Sequence, residues 1–469
     1  MTRTSKDQIN LIYLKRDLRL YDNPVFSLAE DSKIKYSVIF IFEPEYMQQS
    51  WFDIRHYKFI YSSLVKLNES LSKFGYRVCL LFGDPVEVFS YIMGKVDLKT
   101  VFSHQEVGPK YTFLRDKRLR NFFKLNNIEW IEIPTDGIIR GKSRPQGWRI
   151  KFEEWLETPV TETILSRELF YPLDIDQFLL PQNLKNELSC YPTTFQEPGE
   201  RAALATLKSF LDERGRGYLA NISKPFESHK YSSRLSCYLA YGNVSARVVF
   251  QLTKKMITEN SLSDNNRKSY EAFLSRIFWR SHFMQKLENM PQYEYQSINP
   301  SFEPWPFEHK PQLVEAWIEG ETGFDLVDAV MKCLKTTGWI NFRMRAMLVS
   351  FLCHVLQQPW QAGANLLARY FLDFEGGIHF PQFQMQAGVT GFNTIRVYDP
   401  DKQLRDNDPR RLFCKIWLKG KTRQKPLVDL KSCLEISRRV LWGIKMSHEC
   451  RENATKLLMR LNEPARTRV

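Results

Sequence analysis

The sequence predicts two architectures in one chain: a Rossmann-like α/β domain built on a parallel sheet, followed by a large all-α domain. Three observations carry this. β-branched and aromatic runs alternate with helical patterns through the first third, strand-like runs almost vanish after about residue 200, and 469 residues suffice for more than one core. We place the α/β domain at residues 1–131, a connector at 132–200 and the helical domain at 201–469.

Leu11-Ile12-Tyr13-Leu14 reads as the first strand. The segment behind it, Lys15-Arg16-Asp17-Leu18-Arg19-Leu20-Tyr21-Asp22-Asn23-Pro24, alternates charges in a way that suits local ion pairs, and Asn23-Pro24 can start a helix. Tyr36-Ser37-Val38-Ile39-Phe40-Ile41-Phe42 is the second strand. Ile60, Leu64, Leu67 and Leu71 then recur at helical spacing between Trp51 and Phe74. Val78-Cys79-Leu80-Leu81-Phe82 follows, closed by Gly83-Asp84-Pro85. Thr100-Val101-Phe102 and Ile128-Glu129-Trp130-Ile131 supply further strands. Ligands of such sheets bind beyond the carboxyl ends of the strands, which points to Gln105 and Glu106. Gly- and Pro-containing pieces such as Gly141-Lys142-Ser143-Arg144-Pro145-Gln146-Gly147 mark the connector. Helical stripes then take over, as in Met344, Leu348, Phe351, Leu352 and Val355, and a final helix runs through Leu457, Leu458 and Leu461.

Lys and Arg number 67 against 53 Asp and Glu, a net +14, which fits a polyanionic partner or a solvated basic surface. The 11 Trp and 20 Tyr are enough for stacking surfaces as well as cores. No apolar run spans a bilayer and no secretory segment opens the chain, so a soluble, cytoplasmic monomer is expected. The 8 cysteines form no CxxC pair and read mainly as buried thiols, without a zinc ribbon or disulfide framework. P-loop, HExxH and GxSxG patterns are missing, and His56, His104, His354 and His448 read as structural or surface residues, so no metal site is expected.

Four segments of the helical half can carry chemistry, each with a structural alternative. Tyr231-Ser232-Ser233-Arg234-Leu235-Ser236 offers hydroxyls and a cation for a phosphate, or a plain serine cap. Phe273 to Phe283 alternates aromatic and cationic groups, with Arg276, Trp279 and Arg280 as a stacking and phosphate-binding face or part of an amphipathic core helix. Asn341-Phe342-Arg343-Met344-Arg345 places two arginines at a helix start, where the macrodipole disfavours cations unless anions await them. Asp373, ahead of Phe374-Glu375-Gly376-Gly377, is a natural partner for Arg345; an ordinary helix end and loop is the alternative.

Lys15 to Pro24, Ser232 to Ser236, Trp279-Arg280, Gly338-Trp339 and Arg396-Val397-Tyr398-Asp399-Pro400, in this order, resemble the photolyase/cryptochrome family of blue-light flavoproteins across nearly the whole chain. The resemblance implies an antenna domain followed by a helical domain holding FAD. It implies that Tyr218, Ser232, Ser233, Arg234, Leu235 and Ser236 contact the FAD phosphates and ribose. Arg345 and Asp373 would form an ion pair beside the isoalloxazine, with Phe374 and Glu375 nearby and His379 facing flavin N5, a place that a small offset gives to Gln382 instead. Trp279 would stack on a flipped lesion in UV-damaged DNA, with Arg276 and His379 as the further catalytic candidates; Arg280, Asn341, Phe342, Arg396, Lys402 and Gln403 would form the surrounding DNA surface. Trp360 would serve electron relay and Glu106 an antenna pigment, whether folate, deazaflavin or flavin. The implied activity is a light-driven DNA photolyase, in which excited reduced FAD gives an electron to a pyrimidine dimer; the alternative is a cryptochrome-type photoreceptor that signals through flavin photoreduction.

The departures from the family pattern are specific. Arg276 stands where cyclobutane-dimer photolyases carry Glu, and an arginine cannot accept a hydrogen bond from thymine. Phe342 replaces the Asn or His of the known lesion classes, and Ala346 their Met or second His. Phe383 and Phe307 replace the inner and outer tryptophans of the relay, for which Trp305, Trp339, Trp417 or tyrosines are substitutes to consider. Gln105 stands for the Asn of folate-binding relatives.

Overall fold

The computed structural model describes residues 6–141, 147–259, 262–419 and 424–461. Residues 142–146 of the connector's glycine-containing run lie outside them. Strands β1 (Gln8–Leu14), β2 (Tyr36–Phe42), β3 (Val78–Phe82), β4 (Asp97–His104) and β5 (Glu129–Ile133) form one parallel sheet in the order β3-β2-β1-β4-β5. β2 is buried throughout and β1 at all but its first residue. Both faces of the sheet's centre are therefore covered, which is why these runs are continuously apolar instead of alternating.

Helices α1 (Pro24–Asp31), α2 (Ile54–Leu71), α3 (Pro85–Lys95) and α4 (Lys110–Leu125) connect the strands. Pro24 starts α1 as expected, its missing N–H costing nothing at the first turn. Asp53 caps α2 in a box with His56, and Ile60, Leu64, Leu67 and Leu71 form its buried stripe. Asp84 accepts the N–H groups of Val86 and Glu87 at the head of α3.

Contacts group the described residues into two compact units. One holds the residues up to Ile138 with Ile150–Lys208 and Leu235–Lys255; the other holds Ile139–Arg149, Ser209–Arg234 and everything from Met256 onward. The stretch expected to be a connector between the domains, 132–200, thus belongs mostly to the α/β unit, joined there by a segment expected in the helical domain. Asp22 is the physical reason. Its side chain is fully buried and accepts Arg247 Nη2 at 2.6 Å, Ser245 Oγ at 2.5 Å and the Thr161 N–H at 3.0 Å. Gly242 closes the same joint: its φ is +70°, and a Cβ there would lie 2.1 Å from the Arg16 carbonyl oxygen.

In the helical unit, α5 (Asp264–Asn289), α6 (Phe342–Ser350), α7 (Trp360–Tyr370), α8 (Gly376–Ala387), α9 (Leu430–Met446) and α10 (His448–Leu461) are the elements that matter for the site. The expected final helix through Leu457, Leu458 and Leu461 is α10, and α9 precedes it as a separate helix. A π turn, Phe351–Val355, continues α6. Met344, Leu348, Phe351, Leu352 and Val355 are fully buried, as their spacing requires. α8 packs on α5, α6 and α7. Gly377 permits the close approach, since a Cβ there would sit 3.0 Å from the Met284 Cα on α5. No helix among the described residues is long and apolar enough to cross a membrane. All eight cysteines are free, five of them buried, and no group of three or more potential metal ligands occurs among the described residues.

Arg247→Ala leaves the Asp22 carboxylate buried without its cation, a change that costs about 3–5 kcal/mol at comparable sites. Urea unfolding followed on the α/β unit should show a loss of that order, whereas a loss under about 1 kcal/mol, the range of an exposed pair, would remove Asp22 as the anchor of these segments.

Candidate functional site

The site grows from the loop ahead of α8 and the first turn of α6. Arg345 Nη2 meets Asp373 Oδ2 at 2.6 Å, its Nε donates to the Ile340 carbonyl at 3.0 Å, and its guanidinium lies 4.1 Å from the Phe371 ring centroid. Asp373 Oδ1 is buried and has no hydrogen-bond partner among the described residues. Glu375, two residues on, is buried and 3.6 Å from Arg280 of α5. Phe374 is buried behind them.

His379 sits among Phe371, Phe374, Phe380 and Phe383, with ring centroids 5.3 to 5.9 Å away. Its Nε2 is 2.8 Å from the Ala364 carbonyl. A carbonyl only accepts, so Nε2 carries the proton. Burial pushes the imidazole down to about 4, leaving Nδ1 as an acceptor at neutral pH. Gln382, the offset alternative, is half-buried on the same helix.

The serine motif is shaped from behind by Arg214, which donates to the carbonyls of Ser232 and Ser233 at 2.5 and 3.4 Å. Arg234 adopts φ 61°, and its guanidinium stacks 3.8 Å from the Trp339 centroid. The boundary between the two units falls after Arg234, so Leu235 and Ser236 count with the α/β unit. Leu235 is buried; Ser236 Oγ is buried with no partner among the described residues. Burial pushes the Tyr218 phenol up to about 12 against the pull of Arg276, which is exposed on α5. Arg214 escaped the sequence reading, although it lies in a glycine-flanked basic run, Arg214-Gly215-Arg216-Gly217, that gives it away.

A buried carboxylate oxygen without a partner costs about 1–3 kcal/mol or more unless a ligand donor meets it. Asp373 Oδ1 next to Arg345 and the acceptor Nδ1 of His379 can each take a hydrogen bond from a ligand, and the Ser232–Arg234 turn brings hydroxyls and a cation; the residues present fit FAD.

Among the expected DNA contacts, Trp279 and Phe342 are 36% and 42% exposed, and Arg396 and Lys402 are exposed, Lys402 paired with Asp406 at 3.1 Å. The structure places the other three inside. Arg280 is turned to Glu375; Asn341 caps α6 through the Met344 N–H and donates to the Ile222 carbonyl; Gln403 is buried and accepts from Asn407. Arg280 Nη2, the Asn341 amide and Gln403 Oε1 are each engaged by the protein, a use that residue type alone cannot reveal. Trp360 is buried, donates to Ser297 Oγ at 3.0 Å and lies 6.4 Å from Phe383. Trp305 is beside Phe307 at 5.8 Å.

In the α/β unit, both Glu106 oxygens are engaged, with Arg16 at 3.3 Å and Arg115 at 2.6 Å. Burial opposes ionisation there, and the two arginines overcome it, holding the carboxyl below its usual range. A cavity of about 180 Å³ opens instead at the carboxyl ends of β1, β4 and β5, lined by Arg16, Arg19, His104, Trp155, Ser245 and Arg247 among others.

Comparison with known proteins gives two family models: DNA photolyase over residues 10–141 and the FAD binding domain of DNA photolyase over residues 273–427. The chain is 24% identical over 428 residues to a deoxyribodipyrimidine photo-lyase of Synechococcus and 26% identical over 446 residues to cryptochrome DASH of Synechocystis, covering 87% of either chain in both cases. The archaeal photolyase of Sulfolobus tokodaii, solved with two FAD molecules, superposes with a TM-score of 0.77 at 23% identity, over 93% of this chain and 99% of that one.

His229, His354 and His379 are all pushed down to about 4, chiefly by burial, with Arg234 adding to the effect on His229. The unfolded chain binds these protons near pH 6.5, whereas the folded chain does not until about pH 4. Stability is therefore complete above pH 6.5 and declines as pH falls toward 4, by about 1.4 kcal/mol per pH unit for each histidine. His354→Gln should make the decline between pH 6.5 and 4.5 shallower by one proton in urea titrations; an unchanged slope would show that His354 is not held neutral.

Proposed function

Since the chain belongs to the photolyase/cryptochrome family, we propose that it is a light-driven repair enzyme for pyrimidine dimers in UV-damaged DNA. The observation that carries this reading is Trp279, an exposed stacking ring one residue before Arg280, whose guanidinium reaches Glu375 beside the Arg345–Asp373 pair. A base stacked on Trp279 is thereby presented one helical step from the cofactor's acidic loop. Extruding a lesion costs a few kcal/mol, less for a damaged pair. One stacked base returns about 1–3 kcal/mol, and phosphate contacts by Arg396 and Lys402 supply the rest.

When bound, FAD supplies the light-absorbing one-electron donor. The chain's own residues do the positioning. Asp373 neutralises Arg345 and keeps one oxygen for a ring N–H of the cofactor. His379 offers an acceptor fixed by the Ala364 carbonyl. The Phe371, Phe374, Phe380 and Phe383 rings exclude water. Phe383 separates His379 from Trp360 with a ring that is hard to oxidise, which disfavours refilling the site through tryptophan and with it a photoreceptor that signals by photoreduction. The cavity beyond β1, β4 and β5 is where we place a second chromophore, in preference to Glu106.

Reduced protein illuminated with duplexes containing either cyclobutane or (6-4) dimers should deplete one of them, measured by lesion chromatography. Flavin photochemistry without loss of either lesion would replace this reading by the photoreceptor one.

A further inference from the structure

The π turn after α6 holds a group of buried hydrogen bonds that neither cofactor contact nor helix formation accounts for. Ser350, His354 and Ser437 are all fully buried. His354 Nε2 is 2.9 Å from the carbonyl of Ala387, the last residue of α8, so this nitrogen bears the proton. Its Nδ1 is 2.9 Å from Ser350 Oγ and accepts the hydroxyl hydrogen. Ser350 Oγ in turn accepts the Tyr398 N–H at 2.9 Å and lies 3.3 Å from the Arg396 carbonyl. Ser437 Oγ of α9 closes the group on the His354 carbonyl at 2.7 Å.

Each partner is thus fixed by the next. The end of the helix carrying His379 and flanked by Asp373 is tied through His354 and Ser350 to the two peptide units that follow Arg396, an exposed cation. Regular i→i−4 bonding does not produce this arrangement, and π turns concentrate at functional positions. We infer that Ser350 and His354 are positioning residues: they hold Arg396 in register with the cofactor helix, so that a phosphate bound by Arg396 and a base stacked near the cofactor belong to one nucleic-acid pose. The inference rests on the repair reading above.

The test is a double-mutant cycle on duplex binding at several salt concentrations, with melting temperature and FAD content measured alongside. Arg396→Ala should weaken binding about tenfold and lower the slope of log Kd against log salt by about one, as for loss of one phosphate contact. Ser350→Ala, with Arg396 intact, should give the same slope change while FAD stays bound, and Ser350→Thr, which keeps the hydroxyl, should restore it. The Ser350→Ala/Arg396→Ala double variant should be no weaker than Arg396→Ala, because both act through one contact. A Ser350→Ala variant with a lower melting temperature but wild-type Kd and slope would overturn the positioning role, as would additive losses in the double variant. Should the serine variants fold poorly, His354→Gln carries the same comparison. Wild-type protein that binds no duplex at any salt would overturn the repair reading itself, a different outcome from either of these.

Discussion

The ion pair of Arg345 and Asp373 is the constraint around which the helical unit is organised. Arg345 lies in the first turn of α6, where the helix dipole repels a cation. Asp373 is buried at 2% side-chain exposure, a position in which an unpaired carboxylate is costly. Each residue is tolerable only with the other. Their 2.6 Å contact fixes the loop ahead of α8 on the head of α6, and Gly377 then lets α8 lie against α5. Trp279, Arg280, Glu375 and His379 take their places from that packing. The oxygen of Asp373 that Arg345 leaves over is buried without a partner among the described residues, and it is the group on which the proposed FAD site rests.

A similar economy governs the α/β unit. Lys15, Arg16 and Arg115 are all buried or nearly so, and Asp17, Glu43, Glu106, Asp116 and Glu132 meet them or His104 at 2.6 to 3.7 Å. Against the opposing effect of burial, His104 holds the Asp17 carboxyl below its usual range. The charge alternation after β1 is therefore internal, and it builds the loops at the strand ends instead of serving a partner. Several cations in the +14 total are used up in this way, and the basic surface left to nucleic acid is narrower than the composition suggests.

What could be read from the sequence follows from how local each feature is. The strands, the Asn23-Pro24 helix start and the 60–71 stripe depend on neighbouring residues and stand where periodicity put them. The Arg345–Asp373 pair was legible because a cation at a helix start is a conflict that calls for an anion. The unit boundaries were not legible, since they depend on Asp22 reaching Ser245 and Arg247 more than 200 positions away. Arg280, Asn341 and Gln403 have the side chains of DNA contacts, and only the fold shows that Glu375, an α6 cap and Asn407 hold them. The Ser350–His354 link left no trace in the pattern, because two residues four apart read as ordinary helix and the partners that give the pair its role, Ala387, Tyr398 and Ser437, lie 33 to 83 positions away.

Cofactor retention tests the central role of the ion pair most directly. The ratio of bound FAD to protein, measured by absorbance after gel filtration, should fall in the order wild type, Asp373→Asn, Asp373→Ala. Asparagine keeps an acceptor but leaves Arg345 without its anion, and alanine removes both. Equal FAD content in all three at comparable melting temperature would contradict the account.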